Sequence, residues 1–431
     1  MKYYSTNHKA PLANLKDAVI RGLAPDKGLY MPESIPTLPK SFFNNLPHLS
    51  LQEIGYTVAN ALFGDAVEAD ALKKITEETL NFEIPLVKLS GQVYSLELFH
   101  GPTCAFKDVG GRFMARMLAY FTQDNKKDIY VLTATSGDTG SAVASGFFDV
   151  PGIKVIILYP KGKVSHIQEQ QLTTHGKNIT ALEVDGTFDD CQKLVKEAFN
   201  NEQLRADFML TSANSINLAR FLPQSFYYYH AIAQLGGKTE NIVFSVPSGN
   251  FGNLTAGLFA WKTGLNIKRF IAATNVNDVV PEYLETGTFN PRPSIKTLAN
   301  AMDVGNPSNF ARMLDLFKND HDKMAKFITG YTLDDEGIKK YLKLIYEKHS
   351  YIADPHGAIG YAALEKSLTQ QETGIFLETA HPAKFIDITE DVLEKNIDIP
   401  NRLEQYLKKE KEAIPLSADF DSFKDFFYTL K

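Results

Sequence analysis

From about residue 86 the chain alternates short, continuously apolar runs with longer stretches of helical spacing. "DIYVLTAT" (128–135) precedes "GSAVASGFF" (140–148), and "IKVIILYP" (153–160) precedes "VSHIQEQQLTTHG" (164–176). "ITALEVDG" (179–186) precedes "DDCQKLVKEAFN" (189–200), and "DFMLTSAN" (207–214) precedes "INLARFLPQSFYYYHAIAQLG" (216–236). "NIVFSVPSGN" (241–250) leads into "LTAGLFAWKTG" (254–264), "IKRFIAATN" (267–275) opens a further unit, and "GIFLETA" (374–380) is a late strand. Runs without polar alternation predict strands buried on both faces. The βα alternation predicts an α/β protein with parallel sheets flanked by helices, and the number of units suits two sheet domains better than one. Upstream, residues 1–85 read as mixed helix and loop, with "MPESIPTLPKSF" (31–42) separating helical patterns such as "LQEIGYTVANALFG" (51–64).

Composition narrows the partners. Over 431 residues, 45 Lys and Arg against 51 Asp and Glu leave a net charge of −6. That balance argues against a nucleic-acid surface. The basic runs "NKKD" (125–128) and "LKKEKE" (407–412) are short and interleaved with acids, so they read as solvated faces. Two cysteines, Cys104 and Cys191, exclude a disulfide framework and a Cys-rich zinc site and suit a reducing compartment. "MKYYSTNHKAPLANL" lacks the apolar segment of a signal peptide, and no apolar run approaches the ~18 residues that span a bilayer. The expectation is a cytoplasmic globular protein without membrane contact.

Open α/β sheets bind ligands beyond the carboxyl ends of their strands. Three strand-to-helix turns carry polar clusters there. In "SVPSGNFGNLTAG" (245–257), Gly249 and Gly252 let backbone N–H groups converge, and Ser248, Asn250 and Asn253 add side-chain polarity. "TATSGDTGSAVA" (133–144) groups Ser136, Gly137, Asp138, Thr139 and Gly140. "TSANSINLAR" (211–220) sets Asn214, Ser215 and Asn217 at a helix start, with the anion-binding fork of Arg220 a turn further on. Each turn alone also fits a capped helix; together they suggest two bound anionic groups. A nucleotide is the rival. The Gly-Lys-Thr of "LGGKTE" (235–240) lacks the first P-loop glycine and follows an aromatic helix, and no dinucleotide fingerprint follows a strand. G-x-S-x-G and H-E-x-x-H are absent, and His166, His175, His356 and His381 lack metal-ligand spacing, so they read as loop or core histidines. What remains is a phosphate-bearing cofactor that needs a lysine. Lys107 closes "LELFHGPTCAFKD" (96–108), ahead of the amphipathic "VGGRFMARMLAYF"; alone it reads as a solvated helix-start lysine.

"LELFHGPTCAFKDVGGRFMA" resembles the lysine segment of the threonine synthase family of fold type II pyridoxal-phosphate enzymes. "TATSGDTGSAVA", "TSANSINLAR", "VPSGNFGNLTAG", "FIAATNVND", "ANAMDVGNPSNF" and "ETAHPAKF" resemble further family motifs in the same order, and "DAVIRGLAPDKGLYMPESIP" (17–36) resembles the family's N-terminal extension. The resemblance implies two parallel-type sheet domains. It places an N-terminal extension at 1–85, a catalytic core at 86–385 with a smaller subdomain over roughly 110–230, and a C-terminal helical extension at 386–431. It implies pyridoxal 5′-phosphate as cofactor, with Lys107 forming the Schiff base. Gly249, Asn250, Phe251, Gly252 and Asn253 would surround the cofactor phosphate, Thr379 would face the pyridine nitrogen, and Asp138 would contact the 3′-oxygen. Asn214, Ser215 and Arg220, with Ser136 and Thr139, would hold the phosphate of O-phospho-L-homoserine. The implied reaction is γ-elimination of phosphate and β-addition of water to give L-threonine, by a monomer. Other readings are a serine/threonine dehydratase or β-replacement synthase of the same fold, which need no second phosphate site, or a catalytically silent binding protein. Cys104 stands where relatives often carry Leu, a change of little expected consequence because free Cys packs as a small apolar residue.

Overall fold

In chain order the strands are β1 (Tyr3–Ser5), β2 (Tyr30–Pro32), β3 (Leu86–Ser90), β4 (Val93–Glu97), β5 (Ile129–Ala134), β6 (Ile153–Pro160) and β7 (Ile179–Asp185). They continue with β8 (Met209–Ser212), β9 (Ile242–Pro247), β10 (Arg269–Thr274), β11 (Ile328–Thr332), β12 (Thr373–Glu378) and β13 (Ile414–Ser417). The computed structural model describes residues 1–125, 127–236 and 240–430. Lys126 of the basic run and Gly237, Lys238 and Thr239 of the rejected P-loop therefore lie outside the described residues.

Two larger sheets form, as the alternation of runs predicts. The larger has the order β11-β10-β9-β12-β4-β3, parallel except for the β3–β4 hairpin at its edge. The smaller has the order β13-β7-β6-β5-β8 and is parallel throughout. Central strands such as β9 are buried at every position, which is why they carry no polar alternation. The seven sequence-predicted strands all occur. β11 and β13 escaped the pattern because both lie at sheet edges with mostly exposed residues.

Three segments depart from the sequence reading. Residues 1–85 contain a small antiparallel pair, β1 with β2, besides helices such as Leu51–Phe63, whose Ser50–Glu53 capping box satisfies its first donors. The long helical stretch at 216–236 is divided into Leu218–Phe221, a 3₁₀ turn and Phe226–Gln234, because Pro223 cannot continue the first helix. The C-terminal extension is not wholly helical: β13 adds to the edge of β7, and the following helix, Phe420–Tyr428, buries Phe423 and Phe427 beside Cys191 and Leu194.

The helix Lys107–Thr122 packs against Asp138–Phe147 of the small-sheet unit, Leu218–Phe221 and the N-terminal helix Ala69–Thr79. A Cβ at Gly111 would meet the Ala142 carbonyl at 2.7 Å, and one at Gly146 would meet the Gly111 backbone at 2.9 Å. The two small residues let this helix touch the helix Asp138–Phe147 backbone to backbone. Tyr227, Tyr228 and Tyr229 are fully buried, and each hydroxyl has a partner: Phe106 O, the Asn253 carbonyl and side chain, and Thr263 Oγ1. Among the described residues no helix is long and apolar enough to cross a membrane.

Candidate active site

The carboxyl ends of β5, β8, β9 and β12, with the loop after β4, converge on one cavity. Its wall includes Lys107, Ser136, Thr139, Asn214, Ser215, Arg220, Gly249, Asn250, Phe251, Gly252, Asn253 and Thr379. Every sequence-predicted site residue is there except Asp138.

Lys107 is the first residue of its helix and reaches the cavity from a braced loop. Phe106 N donates to Thr379 O (2.8 Å) and His381 N to Cys104 O (3.0 Å), which stitches the loop to the end of β12. Cys104 sits at φ 55°, a left-handed conformation that turns the chain toward the helix. Asp108 accepts from Thr103 N (2.9 Å) and Thr103 Oγ1 (2.6 Å), so it braces the loop and is not a partner of the lysine. Burial pushes the Lys107 amine down to about 8; the charge of Asp138 opposes that shift, and Lys384 and Arg220 reinforce it. A sizeable neutral fraction near physiological pH follows.

The glycine turn after β9 meets the N-terminus of the helix Gly252–Lys262. Phe251 takes a left-handed φ of 59°. A Cβ at Gly249 would meet the Ala301 carbonyl at 2.7 Å and Met302 Cα at 2.9 Å, so only glycine lets the 299–304 segment close against the turn. Asn250 is fixed by Ser308 N on its Oδ1 (3.2 Å) and Asn309 N on its carbonyl (3.3 Å). Asn253 Oδ1 accepts from Tyr228, while its buried Nδ2 has no protein partner. Converging backbone donors, a helix dipole and a spare amide N–H suit a phosphate.

Arg220 supplies a second anion site. It is 2 % exposed, and neither terminal nitrogen has a hydrogen-bond partner. Burial lowers its guanidinium to about 10. The space is made by Gly110 and Gly111: a Cβ on the first would strike Arg220 O at 2.3 Å, and on the second Arg220 Nη1 at 2.6 Å. Ser215 is oriented by Asn309 Nδ2 on its Oγ (3.0 Å) and by Arg312 Nη1 on its carbonyl (3.1 Å). Asn214 donates Nδ2 to Ala134 O (3.3 Å) and leaves Oδ1 without a donor.

Asp138 has partners that the sequence reading did not anticipate. Its carboxylate is 2.7 Å from Lys384 Nζ and accepts from Gln168 Nε2 at 2.9 Å, and it does not line the cavity. Lys384, the last cation of "ETAHPAKF", claims it. Burial opposes ionisation there, but Lys384 and then Lys107 hold the carboxyl well below the usual carboxylate range.

Sequence reasoning missed Lys384 and Gln168, and it set aside His356. His356 lines the cavity; its Nδ1 is 2.7 Å from Asp354 Oδ1, and its Nε2 accepts from Ala301 N at 3.3 Å. Asp354 Oδ2 accepts from Ala380 N (2.9 Å), beside Thr379, and burial with the Asp354 charge pushes the Glu378 carboxyl well above its usual range. The Asp-Pro-His start of a helix at 354–356 was the available signal, since Asp354 also caps that helix.

A buried lysine with a lowered pKa, a helix-start anion turn with an unpaired amide, and a hydroxyl at the end of β12 accommodate pyridoxal phosphate. With parallel sheets meeting at their carboxyl edges, they define a fold type II pyridoxal-phosphate enzyme. The family model described as "Pyridoxal-phosphate dependent enzyme" matches residues 79–376, and the flanks match "Threonine synthase N terminus" (2–80) and "Threonine synthase, C-terminal" (357–427). The chain is 45% identical over 420 residues to a threonine synthase of Haemophilus influenzae, covering 97% of this chain and 96% of that one. The crystal structure of threonine synthase from Escherichia coli superposes with a TM-score of 0.94 at 41% identity, covering 100% of both chains. The structure of pyridoxal-phosphate-bound threonine synthase from Brucella melitensis gives 0.93 at 32%, covering 99% of this chain and 98% of that one. The chain belongs to the threonine synthase family. It is a pyridoxal-phosphate-dependent lyase acting on a small-molecule substrate.

Proposed function

We propose that this enzyme converts O-phospho-L-homoserine and water to L-threonine and phosphate, and that the residues gathered in the cavity divide the work. The observation that carries the reading is Arg220: a buried, unpaired guanidinium in a cavity that already has a separate turn for the cofactor phosphate. A dehydratase or β-replacement enzyme of this fold needs one anion site; this cavity has two.

Pyridoxal phosphate, when bound, supplies the electron sink that makes the substrate's carbon-bound hydrogens acidic. The turn from Gly249 to Asn253 would hold its phosphate, and the Thr379 hydroxyl would hold its ring. Lys107, largely uncharged above about pH 8, takes a proton from the substrate α-carbon and one from the β-carbon, and returns protons to the γ-carbon, which becomes the methyl group, and finally to the α-carbon. Arg220, Asn214 and Ser215, with Ser136 and Thr139 from the turn after the neighbouring strand β5, hold the γ-phosphate and stabilise the charge it gains as the Cγ–O bond breaks. The departing phosphate, kept beside the β-carbon by Arg220, accepts a proton from the water that adds there. The new Cβ–O bond then gives threonine.

The same reading takes the enzyme to act as a monomer. Cys104 and Cys191, both buried and unpaired, support a reducing, cytoplasmic setting. The test is incubation with O-phospho-L-homoserine: threonine and phosphate should appear in equal amounts with the native chain, and Lys107→Ala should stay folded yet lose both. Ammonia release from serine in place of phosphate release would reject the substrate, and substantial turnover by Lys107→Ala would remove that lysine from the chemistry.

A further inference from the structure

The Asp138–Lys384 pair lies where the two sheet units meet. Asp138 opens the helix after β5, and Lys384 follows β12; their atoms are 2.7 Å apart, and both side chains are almost wholly buried. Lys384 Nζ also donates to Thr103 O (3.0 Å), four residues before Lys107, and the Lys384 carbonyl accepts from Ser165 Oγ (3.1 Å). Gln168 Nε2 donates to the same Asp138 oxygen as Lys384. Stability alone is a poor reason for such a pair, since desolvation cancels most of the Coulombic gain and an apolar pair often serves as well.

Lys107 supplies a better reason. Among the described residues it makes no ion pair. The charges acting on it are Asp138 most strongly, then Lys384, Arg220 and Asp354. Its neighbour Asp108 is occupied by Thr103, and Tyr227 is hydrogen-bonded to Phe106 O. A carboxylate free to bond a buried ammonium holds the proton on it. A protonated lysine is neither nucleophile nor base.

We propose that Lys384 is a positioning residue that engages Asp138, so that this buried carboxylate is not free to pair with Lys107 and Lys107 stands as an unpaired amine. The inference rests on Lys107 being the reactive lysine. Asp138 and Lys384 act on Lys107 in opposite senses, and burial is the largest influence on its charge state.

The experiment titrates the full-length protein, freed of cofactor and labelled at the lysine ε-carbons, by carbon NMR; the Lys107 signal is assigned by its loss in Lys107→Ala. In Lys384→Met the released carboxylate should raise the Lys107 midpoint by about one pH unit or more, roughly a tenfold loss of neutral amine at a given pH below the midpoint. Adding Asp138→Asn to that variant should return the midpoint toward the native value. A midpoint unchanged or lowered in folded Lys384→Met overturns the proposal, because a purely structural pair would change the melting temperature alone. Should Lys384→Met fail to fold, Asp138→Asn decides: with the carboxylate gone and Lys384 left behind, the midpoint should fall, and an unchanged or higher value overturns the proposal. Failure of the underlying reading is separate: it would show as bound, borohydride-reducible cofactor surviving in Lys107→Ala.

Discussion

Arg220 carries a charge into the interior with no hydrogen-bond acceptor on either terminal nitrogen. An uncompensated buried charge destabilises a fold, so the side chain is kept at a cost to stability. Replacing it with an apolar side chain of similar length should therefore move stability and function in opposite directions. Arg220→Met should unfold at equal or higher denaturant, by about 1–3 kcal/mol. The same change should cut kcat/KM for the phosphorylated substrate by roughly a hundredfold or more, the scale of a lost charge-assisted contact in a dry site. Denaturant unfolding and steady-state kinetics on one variant check both halves; unchanged kcat/KM would take Arg220 out of the substrate site. At this scale the sequence was informative wherever a residue's role followed from its own turn. Lys107 alone read as a solvated helix-start lysine, whereas the fork of Arg220 and the 249–253 turn are of that kind. Asp138 was not, because its partner Lys384 lies 246 residues away along the chain.

At the scale of elements, the central strands and the helices after them were legible because full burial leaves a continuous apolar run. The edges were not. β13 has one buried residue of four, and it is held in place by pairing with β7. This short strand and its helix should matter more than their polarity suggests, since they cover the β7 edge and bury Phe423 and Phe427 completely. Two fully buried phenylalanines contribute roughly 3–6 kcal/mol by area alone. A chain ending at Glu412 should accordingly unfold at clearly lower denaturant and aggregate through the bared strand edge. An unchanged unfolding midpoint would mean that the segment only decorates the small sheet.

For the whole molecule, three half-buried histidines in different parts of the structure define an acid limit. Burial is the largest cause in each case and pushes His175, His230 and His381 down to about 4. Between about pH 4 and 6.5 the unfolded chain binds these protons and the native one does not, so stability rises with pH through that window. Asp303, pushed up to about 6 by burial, acts in the opposite sense over part of it. Glu378 and Asp108, whose carboxyls burial also raises, act with Asp303, so the three rings are partly offset and the net expectation is a modest loss of stability on acidification from pH 7 to 4. Denaturant unfolding measured across that range checks it; a flat or rising profile toward acid would contradict the neutral state of these rings.

By itself the sequence determined the fold class, the two-sheet organisation and the polar turns at the strand ends. These are local consequences of periodicity, glycine placement and residue chemistry within a few positions of each other; the role of Lys107 came only with the family resemblance. Only the tertiary structure decided which polar groups meet: Lys384 with Asp138, Asp354 with both His356 and the Thr379 strand end, and Asn309 and Arg312 with the Ser215 loop. Burial makes those choices, because a polar group taken from water must find a partner wherever the fold brings one. The partner's position along the chain places no constraint on that meeting. For the same reason the buried guanidinium of Arg220, whose terminal nitrogens no protein acceptor meets, could be seen only in three dimensions.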